Sequence, residues 1–249
     1  MPMVSVITAS SADPSREAFW EALATSVNCQ QGVEVEWLVA APEGAATARM
    51  LGRLEALLTE PSVTLRHVPV LPASSVGARR NAALKRAEGD YVTSLDDDDV
   101  LAGPGSLSRR VAALEESGAM WAMGQFLDFW GDRSVSWSGQ LPAGMYEFPR
   151  DTELLLPEGF PASAHTSTVL AETSVVRDVG GWHQTLRAAE DLDLLYRLVA
   201  AGGAAVMIPE TVLLYRKHGA SIMAKIDRLE DRQVIRSLRQ RYDLPPLAA

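Results

Sequence analysis

The sequence contains a single cysteine, Cys29, in 249 residues, and this scarcity limits the chemistry available to the chain. One thiol cannot form an intrachain disulfide or a zinc site built on several thiolates, and it suits a reducing compartment. Basic residues are also outnumbered: 23 Lys and Arg face 32 Asp and Glu, which gives a net charge of −9. A broad nucleic-acid surface is therefore not expected, because such surfaces need clustered Lys and Arg.

Long apolar runs are missing as well. No stretch approaches the roughly 20 apolar residues of a transmembrane helix. The N-terminal residues, Met1 to Thr8, lack the basic region and the long apolar core of a signal peptide. Together with the single cysteine, these absences predict a cytoplasmic protein without a transmembrane segment.

The sequence does contain enough apolar material for a large core. Hydrophobic residues make up 47% of the chain, which suits one domain of this length. The chain shows no internal repeat, low-complexity segment or interdomain linker. We therefore expect a single domain over residues 1–249, with two halves at about 1–100 and 101–221 and a C-terminal helix within 222–249.

The first half alternates strand-like and helix-like segments. Strict alternation predicts an α/β fold with a mostly parallel sheet flanked by helices. The predicted strands are Val4–Ala9, Val33–Ala40, Val63–Val70 and Tyr91–Leu95. Three helices are predicted. The first starts at Asp13-Pro14, where Asp13 is an N-cap. The second and third cover about Ala45–Leu58 and Ala78–Ala87.

Three segments with polar or flexible residues follow predicted strands. They are Thr8-Ala9-Ser10, the loop that ends at Gly77, and the acidic run Asp96–Asp99. Ligands of parallel α/β sheets bind beyond the carboxyl ends of the strands. The three segments should therefore converge on one cleft.

Beyond residue 100 the pattern is looser, and fewer elements are predicted. A helix is expected from Pro104 to about Glu116, and a second from Glu190 to Ala200. Segment Gln140–Pro161 is expected to be surface loop with one helical turn. Predicted strands are Trp121–Trp130, Ser134–Trp137 (a hairpin around Gly131-Asp132), Ala204–Ile208 and Val212–Tyr215, and the last helix is Ile222–Tyr242.

The acidic run Asp96–Asp99 is the most informative feature of the sequence. Four adjacent carboxylates repel one another, so a strand end that collects them favours a role for a hard divalent cation. Mg²⁺ in proteins is held by one or two carboxylates and completes its shell with substrate phosphates and water. The run therefore predicts a site for Mg²⁺ or Mn²⁺ and a phosphorylated substrate.

Several segments together resemble the GT-A-fold glycosyltransferases of family 2. The resemblance implies a GT-A-type, Rossmann-like sheet with a smaller mixed region, in which residues 1–100 form the nucleotide-donor half and 101–221 the acceptor half. The matches cover most of residues 4–221 in the family's order. They are Val4–Ala9, Gly77–Leu84, Gly89–Val100, Val179–His183, Glu190–Leu198 and Tyr215–His218.

The resemblance assigns the acidic run to the donor and the metal. In the family, the first Asp of an Asp-x-Asp motif contacts the ribose or the metal, and the later one binds the metal beside the diphosphate. These roles fall on Asp96 and Asp98, with Asp97 and Asp99 as alternatives because four consecutive Asp leave the register open. Asp97 is placed with Asp96 among the nucleotide-sugar contacts, and His218 resembles an additional metal ligand.

Further donor contacts are implied at the other strand ends. Arg80 and Asn81 resemble the family's Arg-Asn pair near the donor, and a guanidinium offers fixed, bidentate donors for phosphate or ribose oxygens. Many relatives end the second strand with an Asp that reads the base. Glu43 stands near that position but is displaced, so the base is not identified. The segment Thr8-Ala9-Ser10 completes the expected donor side.

The catalytic assignment rests on the Glu190-Asp191 pair. Acids are stabilised at a helix start by the helix dipole, which these two residues would also satisfy without a catalytic role. The resemblance implies that Asp191 is the general base and that Glu190 helps to position the acceptor. Trp182 and His165 are placed on the acceptor side, although packing is an equal alternative for Trp182, and Asp193 is expected to face solvent.

With this resemblance, the expected activity is that of a metal-dependent, inverting glycosyltransferase. It would move a sugar from a UDP-, GDP- or dTDP-linked donor to a hydroxyl of a small molecule or glycan. Inversion needs a carboxylate to take the acceptor proton while the metal stabilises the departing diphosphate. One alternative is a sugar-nucleotide pyrophosphorylase, although its Gly-rich, Arg-containing loop is not matched by Thr8–Asp13. Another is a catalytically silent nucleotide-sugar-binding protein of the same fold.

Overall fold

The computed structural model describes residues 1–130, 133–136, 141–148, 150–151, 155, 165–186, 189–219 and 228–242. The strands are β1 (Met3–Ala9), β2 (Glu34–Pro42), β3 (Val63–Val70), β4 (Tyr91–Ser94), β5 (Val100–Leu101), β6 (Trp121–Trp130), β7 (Arg133–Ser136), β8 (Gly144–Phe148), β9 (Leu170–Glu172) and β10 (Gly203–Arg216). The helices are α1 (Glu17–Asn28), α2 (Ala45–Ala56), α3 (Val76–Leu84), α4 (Ser106–Ser117), α5 (Thr173–Asp178), α6 (Glu190–Ala200) and α7 (Arg228–Arg241), with 3₁₀ turns at Pro14–Arg16 and Thr166–Thr168.

One sheet joins all of these strands. Its order is β3-β2-β1-β4-β9-β6-β10-β5, with β7 added to β6 and β8 added to β10. The β3-β2-β1-β4 part is parallel throughout. Strand β9 then pairs antiparallel with both β4 and β6, and β10 runs parallel to β6. The prediction of an α/β sheet, parallel in its first half and mixed in its second, is confirmed.

The sheet is covered on both faces, and each face has its own apolar core. Alternating side chains of β1 and β2 point to opposite faces, as the period of a strand requires. One face is packed by apolar residues of α1, α2 and α4, including Trp20, Met50 and Leu107. The other is packed by α3, α5, α6 and α7, including Leu84 and Leu195.

Local signals set the start of the first helical segment. Asp13 accepts a hydrogen bond from the backbone N–H of Ser15 at 2.9 Å, and Pro14 occupies the first helical position. This N-cap follows from a short acidic side chain before a proline, whose missing N–H costs nothing at a helix start. It places Arg16 and the first turn of α1 at the carboxyl end of β1.

The two strands predicted at Ala204–Ile208 and Val212–Tyr215 form one bulged strand, β10. Its register against β6 shifts between Met207 and Thr211 and again between Thr211 and Leu213. Pro209 lies inside the first shift, where a residue without an N–H cannot support a regular ladder. The bulge therefore interrupts the pairing without ending the strand.

The prediction of surface loop over Gln140–Pro161 is wrong for its early part, where β8 (Gly144–Phe148) pairs antiparallel with Gly203–Met207 of β10. Helix α5 was not predicted either. The Gly131-Asp132 turn, most of residues 149–164 and residues 222–227 lie outside the described residues. Other boundaries differ from prediction by a few residues.

Among the described residues, no helix combines the length and the apolar character that a bilayer crossing needs.

Candidate active site

The carboxyl ends of β1, β4 and β10 meet at one edge of the sheet and bring the acidic run to the other predicted residues. The backbone N–H of Leu95 donates to the Ile7 carbonyl at 2.9 Å, which extends the β1–β4 pairing by one residue. The four Asp follow at once. As the sequence predicted, they stand beside the Thr8–Ser10 segment at a strand edge.

The first two carboxylates of the run have cationic partners from different helices. Asp96 accepts a hydrogen bond from Arg80 at 2.6 Å. Asp97 accepts one from the Ser10 hydroxyl at 2.6 Å and another from Arg16. Burial alone would raise the pKa of Asp96, but the positive charge of Arg80 lowers it overall. Asp96 is therefore held ionised.

The last two carboxylates lie against the end of β10. The Nε2 atom of His218 is 2.9 Å from Oδ2 of Asp98. Asp99 is fully buried, and its Oδ1 accepts a hydrogen bond from the Arg216 backbone N–H at 2.8 Å. Its Oδ2 is buried without a hydrogen-bond partner among the described residues. Burial, and then the charges of Asp96 and Asp98, raise the pKa of Asp99 well above its ordinary value.

These carboxylates fit a divalent cation. Asp96, Asp98 and Asp99 each offer an oxygen, and the three oxygens lie within 4.8 Å of one another. A buried, unpartnered carboxylate oxygen is costly unless it is neutralised or coordinated. Oxygen ligands are those that Mg²⁺ and Mn²⁺ prefer. Asp97, in contrast, points to Ser10 and Arg16, which favours the register in which Asp96 and Asp98 serve the metal and adds Asp99.

Arg80 connects the acidic run to the predicted catalytic pair. Its side chain is buried, with one terminal nitrogen 2.6 Å from Asp96 and the other 2.6 Å from Oε1 of Glu190. Burial, and then the charge of Asp191, raises the pKa of Glu190 to about 7 despite this ion pair. Both ends of the guanidinium are thus engaged inside the protein. Direct contact of Arg80 with a donor stays a prediction.

Asn81 holds the segment that carries Trp182. Its side-chain amide donates to the Trp182 carbonyl and accepts from the Trp182 N–H, both at 2.7 Å. Gly181 has a φ of 67°, and a Cβ there would lie 2.3 Å from the Asn81 oxygen. A Cβ at Gly77 would lie 2.1 Å from the His183 carbonyl oxygen. The close packing of these two segments explains both glycines.

The same geometry affects two sequence predictions. The Asn81 amide is committed to the protein backbone, so donor contact by Asn81 stays a prediction that the described contacts do not favour. The Trp182 ring is 4% exposed and belongs to the apolar core. The structure therefore places Trp182 beneath the cleft and not on an acceptor-facing surface, because its large apolar side chain packs with residues of α3 and α6.

Asp191 lies at the first turn of α6 in a half-buried position. Its Oδ2 accepts a hydrogen bond from the Thr166 hydroxyl at 3.0 Å, and its Oδ1 accepts one from the Leu192 N–H at 2.7 Å. Ala189 precedes the helix with a left-handed φ of 61°. This turn directs the Glu190 and Asp191 side chains to the edge of the sheet where the acidic run lies.

His165 lies beside Asp191 on the predicted acceptor side. Its ring centroid is 4.4 Å from that of Tyr215 and 6.0 Å from that of Phe126. Its Nδ1 accepts a hydrogen bond from the Ser167 N–H at 3.2 Å. Burial lowers the pKa of His165, although the carboxylates of Asp96 and Asp191 oppose the shift. The imidazole is therefore kept neutral at pH 7.

Arg110, which was not singled out from the sequence, supports the Thr166–Thr168 turn next to His165. Arg110 is fully buried and donates to the Thr168 carbonyl at 2.9 Å, so it stabilises the Thr166–Thr168 turn. Burial lowers its pKa to about 9, and no carboxylate among the described residues pairs with it. A signal was present in the sequence, because Arg110 lies at helical spacing with Leu107 and Leu114 on the buried face of α4.

The expectation that Asp193 faces solvent is wrong. Its side chain is fully buried, where it accepts hydrogen bonds from Arg197 at 2.6 Å and from the Tyr242 hydroxyl at 2.9 Å. The Tyr242 ring also stacks on Tyr196, with centroids 6.2 Å apart. Helix α7 therefore docks on α6 through a buried acid that the amphipathic pattern could not reveal.

The remaining predicted donor residues are distributed along the strand ends. The Thr8 hydroxyl accepts a hydrogen bond from the Trp37 indole at 3.0 Å and is almost fully buried, so it supports the sheet. Ala9 is half-buried and leads to Ser10. Glu43 is exposed just beyond β2. These residues lie at one edge, and their contact with a nucleotide stays a prediction.

Comparison with known proteins identifies a family. The model of the family described as glycosyltransferase like family 2 matches residues 4–240. The pre-mycofactocin glycosyltransferases of two Mycobacterium tuberculosis strains, CDC 1551 / Oshkosh and ATCC 25618 / H37Rv, are 29% identical over 137 residues. This match covers 50% of the chain and 26% of each relative, so the chain aligns with about a quarter of their length.

Solved structures share the fold over nearly the whole chain. S. aureus TarS 1–349 has a TM-score of 0.69 at 17% identity and covers 98% of this chain and 67% of its own. Its complex with UDP-GlcNAc gives 0.68 at 16%, covering 98% and 68%. The mannosyltransferase PcManGT from Pyrobaculum calidifontis, in complex with GDP-Man and Mn²⁺, gives 0.63 at 16%, covering 100% and 66%. At these identities the likeness concerns the fold, and the predicted GT-A-type architecture is confirmed.

Proposed function

Because the chain belongs to glycosyltransferase like family 2, we propose that it is a metal-dependent, inverting glycosyltransferase that moves a sugar from a nucleotide-diphosphate donor to a hydroxyl acceptor. One observation carries the proposal: Arg80 joins the acidic run to the Glu190-Asp191 pair at the same sheet edge, with ion pairs of 2.6 Å on both sides. In the proposed enzyme, this link would hold the donor and acceptor sides of the cleft together.

The metal is held in this proposal by Asp96, Asp98 and Asp99, with His218 beside Asp98. A bound Mn²⁺ or Mg²⁺ would supply positive charge to the diphosphate leaving group. The mannosyltransferase from P. calidifontis, which shares the fold, is described with Mn²⁺ and GDP-Man. That description supports the choice of metal for this chain.

The donor base is left open between uracil, guanine and thymine. The two structural relatives are described with UDP-GlcNAc and with GDP-Man, so the shared fold accepts different bases. Glu43, exposed at the end of β2, is the residue proposed to face the base. Ser10, Asp96 and Asp97 would line the path from the base to the diphosphate.

Asp191 is proposed to remove the proton from the acceptor hydroxyl. Its Oδ2 is held by the Thr166 hydroxyl at 3.0 Å, and its Oδ1 by the N–H of Leu192. These bonds orient the carboxylate while the helix start favours its negative charge. A base placed opposite the leaving group leads to inversion at the anomeric carbon.

Glu190 is proposed as a positioning residue. It is buried against Arg80, which also holds Asp96. In this arrangement Glu190 fixes the guanidinium between the donor and acceptor sides. The acceptor is proposed to enter past His165. Buried Trp182 would support this side of the cleft from the core.

Neither alternative is favoured by a specific observation. The family match argues against a sugar-nucleotide pyrophosphorylase. A catalytically silent binding protein would not need Asp191, Glu190 and the acidic run together. The single cysteine supports a reducing, cytoplasmic setting, and the net charge of −9 gives no support to a nucleic-acid partner.

The first experiment is a thermal-shift screen with UDP, GDP and dTDP, each with and without Mn²⁺. We expect one nucleotide to stabilise the protein in a Mn²⁺-dependent way, because ligands of the native state raise its melting temperature. The matching nucleotide sugar is then tested for slow hydrolysis, and NMR of the product with an acceptor compares its anomeric configuration with that of the donor. Retained configuration would contradict the inverting mechanism.

A further inference from the structure

The guanidinium of Arg16 lies on carboxylates that the proposed function assigns to donor and metal. Arg16 ends the 3₁₀ turn Pro14–Arg16, directly before α1. Its NH1 donates to Asp97 and is 3.1 Å from Oδ2 of Asp98. The side chains of Arg16 and Asp98 are only 18% and 12% exposed, so this is a partly buried ion pair and not a loose surface contact.

One oxygen of Asp98 is shared by Arg16 and His218. Its Oδ2 lies 2.9 Å from His218 Nε2 and 3.1 Å from Arg16. The His218 ring packs against the Phe19 ring with centroids 5.0 Å apart. The Arg216 guanidinium lies 4.5 Å from the centroid of the Phe19 ring. The start of α1 and the end of β10 therefore meet over the acidic run, with Arg16 in contact with a carboxylate that a metal would need.

We infer that Arg16 neutralises Asp98 in the metal-free protein and becomes a ligand of the donor diphosphate when a cation takes Asp98. The inference deepens the proposed function and rests on it. A divalent cation on Asp98 would repel the guanidinium, while the incoming diphosphate would attract it. A guanidinium matches phosphate oxygens with fixed, paired donors.

Asp97 gains a defined role in this scheme. Its carboxylate is held by the Ser10 hydroxyl at 2.6 Å and binds Arg16, but it lies outside the group of oxygens that fits a cation. Asp97 would therefore keep Arg16 at the cleft after Asp98 is released. The need for an anchor distinct from the metal ligands explains why four consecutive Asp are useful here.

Other arginines of the cleft are less suited to this exchange. Both ends of Arg80 are occupied by carboxylates in a buried pair. Arg79 donates to the Pro72 carbonyl at 3.1 Å, and no ion pair joins it to a proposed metal ligand among the described residues. Among the described residues, Arg16 combines an ion pair to a proposed metal ligand with a side chain that still reaches solvent.

The test measures Mn²⁺ and nucleotide affinity separately by calorimetry. Arg16→Gln should bind Mn²⁺ alone roughly ten-fold more tightly than the parent, because a competing positive charge is lost. In saturating Mn²⁺ it should bind UDP, GDP or dTDP, whichever stabilises the parent, roughly ten- to a hundred-fold more weakly. Opposite changes in the two affinities are the signature of the exchange.

Two further variants separate charge from geometry and from general effects. Arg16→Lys keeps the charge, so its Mn²⁺ affinity should stay near the parent value while nucleotide affinity falls with the loss of the paired donors. Arg49→Gln is the matched control, because Arg49 is an exposed residue of α2 that pairs at 2.6 Å with Glu17, the first residue of α1, outside the acidic run. It should change neither affinity.

The outcomes distinguish this inference from the proposed function. A parent that binds neither Mn²⁺ nor nucleotide overturns both. A parent that binds both, with Arg16→Gln unchanged in either affinity, overturns the exchange and leaves the proposed function standing. If Arg16→Gln does not fold by circular dichroism, Arg16→Lys decides, and parent-like nucleotide affinity in that variant overturns the inference.

Discussion

The two halves of the sheet bring residues to the cleft in different ways. From β3 to β4 every pair is parallel, and the strands are joined by helices of 9 to 12 residues. From β9 onward antiparallel pairs prevail, and strands distant in sequence become neighbours, as β8 and β10 do. The first half supplies the acidic run, and the second supplies the proposed base.

The halves are joined at the cleft by long-range side-chain contacts. Arg80 and Glu190 are 110 residues apart in sequence, and Asp98 and His218 are 120 apart. Each pair sets a residue of the regular half against one of the mixed half. Catalysis in the proposed enzyme therefore depends on this junction, and variants can disable one half, the junction or its support separately.

The largest effect is expected from disabling the acceptor half alone. Asp191→Asn should lower turnover by about 10²–10⁴-fold, the usual contribution of a general base. Nucleotide affinity should stay near the parent value, since the acidic run is untouched. Rates with an identified acceptor, or donor hydrolysis in its absence, measure the effect.

Asp178→Asn is the control for this change, because Asp178 is exposed at the end of α5 and away from the cleft. It should leave turnover unaltered. Near-parent turnover in Asp191→Asn itself would remove that residue from the role of base.

The next largest effect is expected at the junction. Arg80→Met removes both ion pairs and leaves Glu190 and Asp96 without their shared cation. We expect nucleotide affinity in the presence of Mn²⁺ to fall by roughly ten- to a hundred-fold, from the loss of charge-assisted hydrogen bonds that hold Asp96. Turnover should fall as well, which separates this variant from Asp191→Asn.

Arg86→Met is a suitable comparison, because Arg86 lies exposed just after α3. Should Arg80→Met and Arg86→Met show the same nucleotide affinity and turnover, the ion pairs of Arg80 would not contribute to function.

A third effect concerns pH and the acid at the junction. Burial raises the pKa of Glu190 to about 7 from an ordinary value of 4.5. The folded protein thus binds this proton more tightly than the unfolded chain does, so the stabilisation is complete below about pH 4.5 and is lost as pH rises through about 7. Relative to Glu190→Gln, the metal-free parent should lose on the order of 1–3 kcal/mol of unfolding free energy over this window.

Urea unfolding of both proteins at several pH values measures this difference. Parallel stability curves for the parent and Glu190→Gln would show that Glu190 titrates normally and is not held as the structure indicates.

The smallest effect is expected in the support beneath the acceptor half. Tyr242→Phe removes the hydroxyl that donates to buried Asp193 but keeps the stacking on Tyr196. It should lower the unfolding free energy by about 1 kcal/mol, the usual value of one hydrogen bond, with nucleotide affinity unchanged. Tyr242→Ala should cost more, since the ring contact is lost too. Equal stability of all three proteins would show that α7 does not support α6.

The sequence predicted the parallel half of the sheet better than the mixed half. Strands β1 to β4 and their helices were predicted because local periodicity and caps such as Asp13 determine them. Strand β8 was missed because its partner β10 lies about 60 residues away in sequence and no local pattern encodes that pairing. The same limit hid the continuity of β10 across Pro209.

Within the site, residue types were easier to predict than their contacts. The acidic run and the Glu190-Asp191 pair stood out by composition and order. The partners of Arg16 and Asp193 depend on tertiary packing, so Arg16 was not singled out and Asp193 was placed in solvent. For Trp182 the sequence left acceptor stacking and packing open, because an aromatic after two glycines suits either, and the side chain is buried.

The most direct test of the central claim, that the acidic run binds a nucleotide through a metal, is a calorimetric titration of the preferred nucleotide with and without Mn²⁺. We expect Mn²⁺ to strengthen binding to the parent and to have no such effect on Asp98→Asn. In the presence of Mn²⁺, the nucleotide affinity of Asp98→Asn should be at least roughly 10–100-fold lower than that of the parent. This is the range found for residues that only orient metal ligands. Equal affinity of the parent with and without Mn²⁺, or a parent-like response in Asp98→Asn, would contradict the account.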